Sequence, residues 1–379
     1  MDFIPYGMHW IDEEDINEVA NVLRSNWITT GPKIKEFEDA LCAYIGCRYC
    51  VAVNSGTSAL DIAVQSLDLP IGSEIITTPF TFVATSNAII YNSHKPIFAD
   101  ICSDTFNIDP DDIRRKITKN TKAIIYVDYA GQPCDIREIK EIADEFDLYL
   151  IEDACHAIGA EYEEKKVGNF ADLTIFSFHP VKHITTGEGG AVITNKKELY
   201  EKLLLLRSHG IDKNAMDRYG PNASWAYDMK CLGRNYRITD FQAALGISQL
   251  KKLEKFIRRR QNIAKIYNEA FENHPEITTP GVKSNIRHVW HLYTILLDTN
   301  INRNDFFSLM RKRNIGVNLH YIPIYKFTYY QKNLEIKYEF PVSEEVFRRI
   351  ITLPLYPMMT DEDVLNVIDS TKESIKSNV

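Results

Sequence analysis

Phe176-Ser177-Phe178-His179-Pro180-Val181-Lys182-His183-Ile184-Thr185-Thr186-Gly187-Glu188-Gly189-Gly190 sets one lysine among small, hydroxylated and glycine residues, between two apolar runs that read as strands. Burial and neighbouring cations lower an amine's pKa and make it a Schiff-base nucleophile, so covalent chemistry suits this lysine. A surface lysine in a polar loop is the competing reading, and the segment alone does not exclude it. Upstream, Leu148-Tyr149-Leu150-Ile151 is a short apolar run ending in Glu152-Asp153-Ala154-Cys155-His156. Functional groups collect at the carboxyl ends of strands in open α/β sheets. Asp153 therefore sits where an acid can face a cofactor, and it reads equally as the N-cap of a following helix. A third piece, Val51-Ala52-Val53 followed by Asn54-Ser55-Gly56-Thr57-Ser58, reads as strand, small-residue turn and helix start. Free N–H groups and hydroxyls at such a turn make a phosphate site, or an ordinary helix cap.

Working outward, residues 1–30 read as an arm and first helix, with Ile16, Val19 and Val22 at helical spacing. Residues 31–245 alternate strands with helices. The strands are Val51–Val53, Glu74–Thr77, Pro96–Ala99, Ala123–Val127, Leu148–Ile151, Leu173–Phe176 and Ala191–Thr194. Such alternation implies a mainly parallel sheet covered by helices on both faces. Residues 246–379 read as a linking helix and a smaller C-terminal α+β domain whose strands begin near Val289. The long helical pattern runs from Thr239 to about Asn273, with Phe241, Leu245, Leu250, Leu253 and Phe256 apolar. Within it, Arg258-Arg259-Arg260 reads as a solvated face.

The chain has 379 residues and a formal net charge of −8, a balance that argues against non-specific nucleic-acid binding. No apolar run approaches the length of a membrane span and the first residues do not read as a signal peptide, so a cytoplasmic protein is expected. Seven scattered cysteines fit a reducing compartment. Cys47-Arg48-Tyr49-Cys50 has redox or zinc-pair spacing, but no second pair follows, so core packing is the better reading and no metal is expected.

A lysine for a Schiff base, an acid for a pyridine nitrogen and an anion cradle together suggest pyridoxal 5'-phosphate (PLP). Over nearly its whole length the sequence also resembles the DegT/DnrJ/EryC1/StrS sugar aminotransferases. The resemblance is carried by Asn26–Pro32, Thr78–Thr85, Glu152–Ala157, the lysine segment, Gly233–Asp240 and His320-Tyr321-Ile322-Pro323. It implies the type I, aspartate-aminotransferase-like fold. Lys182 would hold PLP covalently and shuttle protons, and Asp153 would pair with the pyridine nitrogen. Phe82 would stack on the ring, where a core aromatic is the alternative reading, and His156 would lie against the cofactor. Ser55, Gly56, Thr57 and Ser177 would bind the phosphate. Asn235 would reach the phosphate of a neighbouring subunit, implying a homodimer with shared sites. Arg234, before it, departs from the residue that relatives often carry. Tyr6, Thr29, Thr30, His320 and Tyr321 resemble positions facing the sugar nucleotide, although a histidine in a strand is more often structural.

Within the family, Ser177-Phe178-His179, Ile184-Thr185-Thr186, Asp128-Tyr129-Ala130-Gly131, Arg207-Ser208-His209-Gly210 and Tyr321–Tyr325 are similar to the transaminases of pseudaminic acid biosynthesis. His179 stands where many relatives carry Asn or Gln. This likeness implies ping-pong transfer from L-glutamate to a UDP-linked 4-keto-6-deoxy-N-acetylhexosamine, giving UDP-4-amino-4,6-dideoxy-N-acetyl-β-L-altrosamine. The alternatives are another UDP-, GDP- or dTDP-linked keto sugar and, more distantly, a non-catalytic regulatory binding protein. Lys182 counts against the family's dehydratase branch, which has histidine there.

Overall fold

The computed structural model describes residues 2–212, 225–334 and 339–377. Its centre is a seven-stranded sheet of β1 (Tyr49–Val53), β2 (Glu74–Thr77), β3 (Lys95–Phe98), β4 (Thr121–Val127), β5 (Tyr149–Asp153), β6 (Leu173–Ser177) and β7 (Gly190–Thr194). The spatial order is β1-β7-β6-β5-β4-β2-β3. All pairs are parallel except those made by β7, which runs antiparallel to both β1 and β6. All seven apolar runs are strands. They read as continuous apolar segments because both faces are buried. Along β1, Val51 and Val53 join one core cluster while Cys50 and Ala52 join the cluster on the opposite face.

Helices α3 (Gly56–Ser66) and α4 (Ala84–Tyr91) cover one face, α3 burying Ala59, Leu60, Ile62, Ala63 and Val64. Helix α2 (Pro32–Ile45) covers the other through Ile34, Phe37, Leu41 and Ile45. The long helix Asp240–Phe271 starts at Thr239, whose hydroxyl caps the Gln242 N–H while the Gln242 side chain returns to the Thr239 N–H. Its first half packs with α2, burying Leu253, Phe256 and Ile257. Phe241, Leu245 and Leu250 are only half-buried. Its second half, through Ile263, Ala264, Tyr267 and Phe271, packs on a second, antiparallel sheet. That sheet is ordered Ile277–Thr278, Tyr293–Leu297, Ile350–Leu353. One helix therefore joins both cores.

Two details correct the sequence reading. Arg260 does not lie on a solvated face: it is fully buried, while Arg258 is exposed and Arg259 bonds the Met359 carbonyl and Asp361. Arg260 follows Phe256 by four residues, which puts both on one helix face. Helix α1 (Glu13–Leu23) forms as expected, but Ile16 is exposed. Its anchor is polar: the buried Asp15 carboxylate accepts from Gln249 Nε2 at 2.8 Å and lies 3.0 Å from Lys252 Nζ of the long helix. Cys50 is buried, with Cys42 and Cys47 half-buried, and all three are free thiols.

Candidate active site

The carboxyl ends of β1, β5 and β6 and the loop between β6 and β7 converge. Asp153 ends β5, is buried, and accepts a hydrogen bond from Thr85 Oγ1 at 2.8 Å. The next element after it is the short strand Glu161–Tyr162, so there is no helix for Asp153 to cap. Among the described residues no cation lies within 4.0 Å of its carboxylate. Lys182 lies on the β6–β7 loop, its backbone N–H donating to the His179 carbonyl at 2.9 Å. Burial lowers the pKa of its amine, Cys155 and Asp153 oppose that shift, and Arg260 adds to it.

The anion cradle is built by close approach. Ser55 caps α3, its hydroxyl accepting from the Ser58 N–H at 3.0 Å, which leaves the Gly56 and Thr57 N–H groups at the helix start. A Cβ on Gly56 would stand 2.9 Å from Ser177 Cβ, and one on Gly190 would stand 2.5 Å from the Ser55 carbonyl oxygen. Only glycine lets β6 and β7 close on this helix start.

His156 is buried and accepts the Ala130 N–H on Nδ1 at 3.3 Å. The proton is thus on Nε2, 3.1 Å from the Tyr321 hydroxyl. Burial drives its pKa well below the usual range, so the ring is neutral. Phe82 is 58% exposed, which rules out the core-aromatic reading, and its ring centroid is 6.3 Å from that of Tyr321. Tyr321 is therefore brought to this group. His320 turns the other way: it is buried with Nδ1 2.9 Å from Thr352 Oγ1, and burial pushes its pKa down to about 3. That is the satisfied structural histidine weighed from the sequence. Tyr6 packs its ring 5.4 Å from His320.

His179 is exposed beside the lysine turn, its N–H 3.5 Å from Ser177 Oγ. Thr29 pairs with Thr239, and Thr30 stands next to Gly31, whose N–H bonds Asp240. Asn235 is exposed and pairs with Ser208. Among the described residues none of these last three bonds to Lys182, Asp153 or His156. Arg234, the departure noted above, has a definite place: its Nε is 3.2 Å from the buried Asp61 of α3, which also accepts from Tyr236 at 2.8 Å. This clamp fixes the Asn235 segment against the helix that opens the cradle.

Sequence reasoning missed Thr85, although the segment Thr78–Thr85 was singled out. Thr81 and Thr85, four residues apart, place two hydroxyls 3.1 Å from each other beside Asp153, and that spacing was the available signal. It also missed His183 and His291, whose rings pack 5.7 Å apart behind the lysine loop, His291 lying 4.4 Å from His156.

These groups fit PLP on structural grounds. They offer a buried acid with no counter-ion among the described residues, a cradle that a Cβ would fill, an exposed aromatic ring and an amine disfavoured as ammonium. A model of the DegT/DnrJ/EryC1/StrS aminotransferase family matches residues 9–372. The chain is 46% identical over 380 residues to an uncharacterized protein of Methanocaldococcus jannaschii, covering 99% of this chain and 98% of that one. It is 40% identical over 373 residues to the UDP-4-amino-4,6-dideoxy-N-acetyl-β-L-altrosamine transaminase of Campylobacter jejuni, covering 97% and 96%. Helicobacter pylori PseC, described as an aminotransferase involved in the biosynthesis of pseudoaminic acid, superposes with a TM-score of 0.93 at 36% identity, covering 99% of this chain and 100% of that one. Solved neighbours include a PLP form and a PMP form. A match along the whole chain, on a fold whose strand ends carry this chemistry, leaves one conclusion: the chain belongs to the DegT/DnrJ/EryC1/StrS aminotransferase family and is a PLP-dependent sugar aminotransferase of the type I fold.

Proposed function

We propose that this chain moves the amino group of L-glutamate to C4 of a UDP-linked 4-keto-6-deoxy-N-acetylhexosamine, UDP-2-acetamido-2,6-dideoxy-β-L-arabino-hex-4-ulose. The product is UDP-4-amino-4,6-dideoxy-N-acetyl-β-L-altrosamine, for pseudaminic acid synthesis. The observation that carries this reading is the end-to-end similarity to a Campylobacter enzyme of that name, with 40% of residues identical.

When bound, PLP supplies a carbonyl for the amino group and an electron-withdrawing ring. In this reading Lys182 Nζ, whose ammonium form burial disfavours, would hold the cofactor covalently. Once the donor's amino group has displaced it from the cofactor, the freed Nζ would take the proton from the donor's α-carbon and, in the second half-reaction, deliver one to the sugar's C4. Asp153, whose carboxylate Thr85 orients, would keep the pyridine nitrogen protonated. Ser55, Gly56, Thr57 and Ser177 would bind the phosphate, Phe82 would cover the ring, and the neutral His156, held by Tyr321, would pack against it. The exposed Asn235 reaches the site of a second copy, so the working unit is a homodimer. Exposed Phe82, Tyr91, Trp225, Met229 and Leu232 supply apolar surface for such an assembly. Tyr6, Thr29, Thr30, His179 and Tyr321 face the sugar nucleotide. Among the described residues no helix is long and apolar enough to cross a membrane, in keeping with action on a nucleotide sugar in the cytoplasm.

The test is a panel of UDP- and GDP-linked 4-keto sugars with L-glutamate, the product's C4 configuration being read by NMR. The altrosamine product is expected. Reaction of only GDP-linked or D-configured sugars would overturn the substrate assignment and leave the family standing. Lys182→Ala should abolish turnover and remove the borohydride-reduced cofactor adduct from the Lys182 peptide.

A further inference from the structure

Arg260 is the largest fully buried side chain among the described residues. Its Nη1 donates to three backbone carbonyls, those of Trp290 (3.3 Å), His291 (3.1 Å) and Leu355 (2.8 Å), while among the described residues Nε and Nη2 meet no acceptor. Among the described residues it forms no ion pair. Burying a guanidinium without a counter-ion is costly, and its three bonds to backbone carbonyls offset only part of that cost. Its position supplies a reason for it. The segment it grips carries His291, whose ring is 4.4 Å from His156 and 5.7 Å from His183, the residue after Lys182. His183 is itself held, Nε2 donating to the Val289 carbonyl at 2.9 Å.

We propose that Arg260 is a positioning residue of the amino-transfer site, fixing the Trp290–His291 segment behind His156 and placing an uncompensated positive charge behind the Lys182–His183 loop. This rests on the assignment of Lys182 given above. The titratable groups electrostatically coupled to the lysine amine are Asp153, Cys155, His156, His179, His183, His291 and His320, with Arg260 behind them. After burial itself, Cys155 and Asp153 favour the ammonium and Arg260 opposes it; burial holds the Cys155 thiol protonated, which leaves Asp153 as the negative charge. The same guanidinium helps to lower the pKa values of His183 and His291. Arg260 thus counters the acid that the cofactor needs, so that Asp153 does not fix a proton on the amine.

The test follows acylation of Lys182 in the full-length apoprotein by an N-hydroxysuccinimide acetate against pH, read by peptide mass spectrometry. Arg260→Gln should move the midpoint to higher pH, because it removes the charge that opposes the ammonium. Arg260→Lys, which keeps the charge and loses the fork, should leave the midpoint near wild type while lowering the melting temperature. If Arg260→Gln does not fold, Ala264→Asp, one turn along the same face, neutralises the intact guanidinium and should give the same upward move. A folded Arg260→Gln or Ala264→Asp with the wild-type midpoint overturns the inference, as does an Arg260→Lys midpoint displaced as far as that of Arg260→Gln. The underlying assignment fails separately, if borohydride fixes PLP on a lysine other than Lys182.

Discussion

Glu152→Gln isolates the second acid at the end of β5. Adjacent strand residues point to opposite faces. Asp153 meets Thr85, while Glu152 Oε2 accepts from the Gly168 N–H at 3.0 Å and Thr174 Oγ1 at 2.8 Å. Burial pushes the Glu152 carboxyl up to about 6. Against about 4.3 for a free glutamate, the difference is about 1.7 pH units, or roughly 2 kcal/mol. Because the folded value lies above the unfolded one, this stabilisation is fully present below about pH 4.3 and is lost as pH rises through about 6. A glutamine stays neutral at every pH, and its amide oxygen can keep both donors. The variant should therefore match wild type near pH 4.5 and exceed it by roughly 2 kcal/mol at pH 7.5. Buried Asp128, whose carboxyl is raised by burial and then by the Glu152 charge, adds to the gain in the same direction. Urea unfolding of the apoprotein at the two pH values measures the difference. A variant less stable than wild type at pH 7.5, or showing the same difference at both pH values, refutes the reasoning. Activity should stay within a few-fold of wild type, while Asp153→Asn should lose on the order of 10²–10⁴-fold.

Thr85→Val removes a buried hydrogen bond to the Asp153 carboxylate without changing side-chain volume. It should destabilise the protein by about 1.5–3 kcal/mol and weaken PLP binding in an absorbance titration, with Thr85→Ser restoring both. Gly56→Ala brings a methyl group to 2.9 Å from Ser177 Cβ, an overpacking penalty of about 1–3 kcal/mol. Adding Ser177→Gly should recover the apoprotein's stability but not its affinity for PLP; no recovery would show that the contact is not the cause.

The seven strands were legible because a strand buried on both faces must be apolar throughout, and Ile75, Ile76, Ile124, Ile125 and their neighbours leave no other reading. The direction of β7 was not legible, since a local run carries no information about its partner. The two-residue strands Glu161–Tyr162, Lys165–Lys166 and Ile286–Arg287 fall below any periodicity. At the site, chemistry-bearing residues next to glycine turns stood out, and ambiguities were settled by tertiary placement. Asp153 has no helix to cap, Phe82 is exposed, and His320 is bonded to Thr352.

The misreadings share a cause. Ile16 was assigned inward and Arg260 outward because polarity stood in for direction, yet the helix phase alone orders these positions. Phe256, Arg260, Ile263, Ala264 and Tyr267 follow the i, i+4, i+7 pattern of one buried stripe, and only the guanidinium's identity argued against it. Asp15 occupies the inward position of α1 that Ile16 was given, because Gln249 and Lys252 wait on the facing helix. Both exceptions are buried polar groups whose partners are distant in sequence, and such groups persist only where those partners outweigh desolvation or where the charge has work in the site. Asp15 meets the first condition. Arg260, which among the described residues has three carbonyls and no counter-ion, does not, and for that reason its charge is the place to look for function.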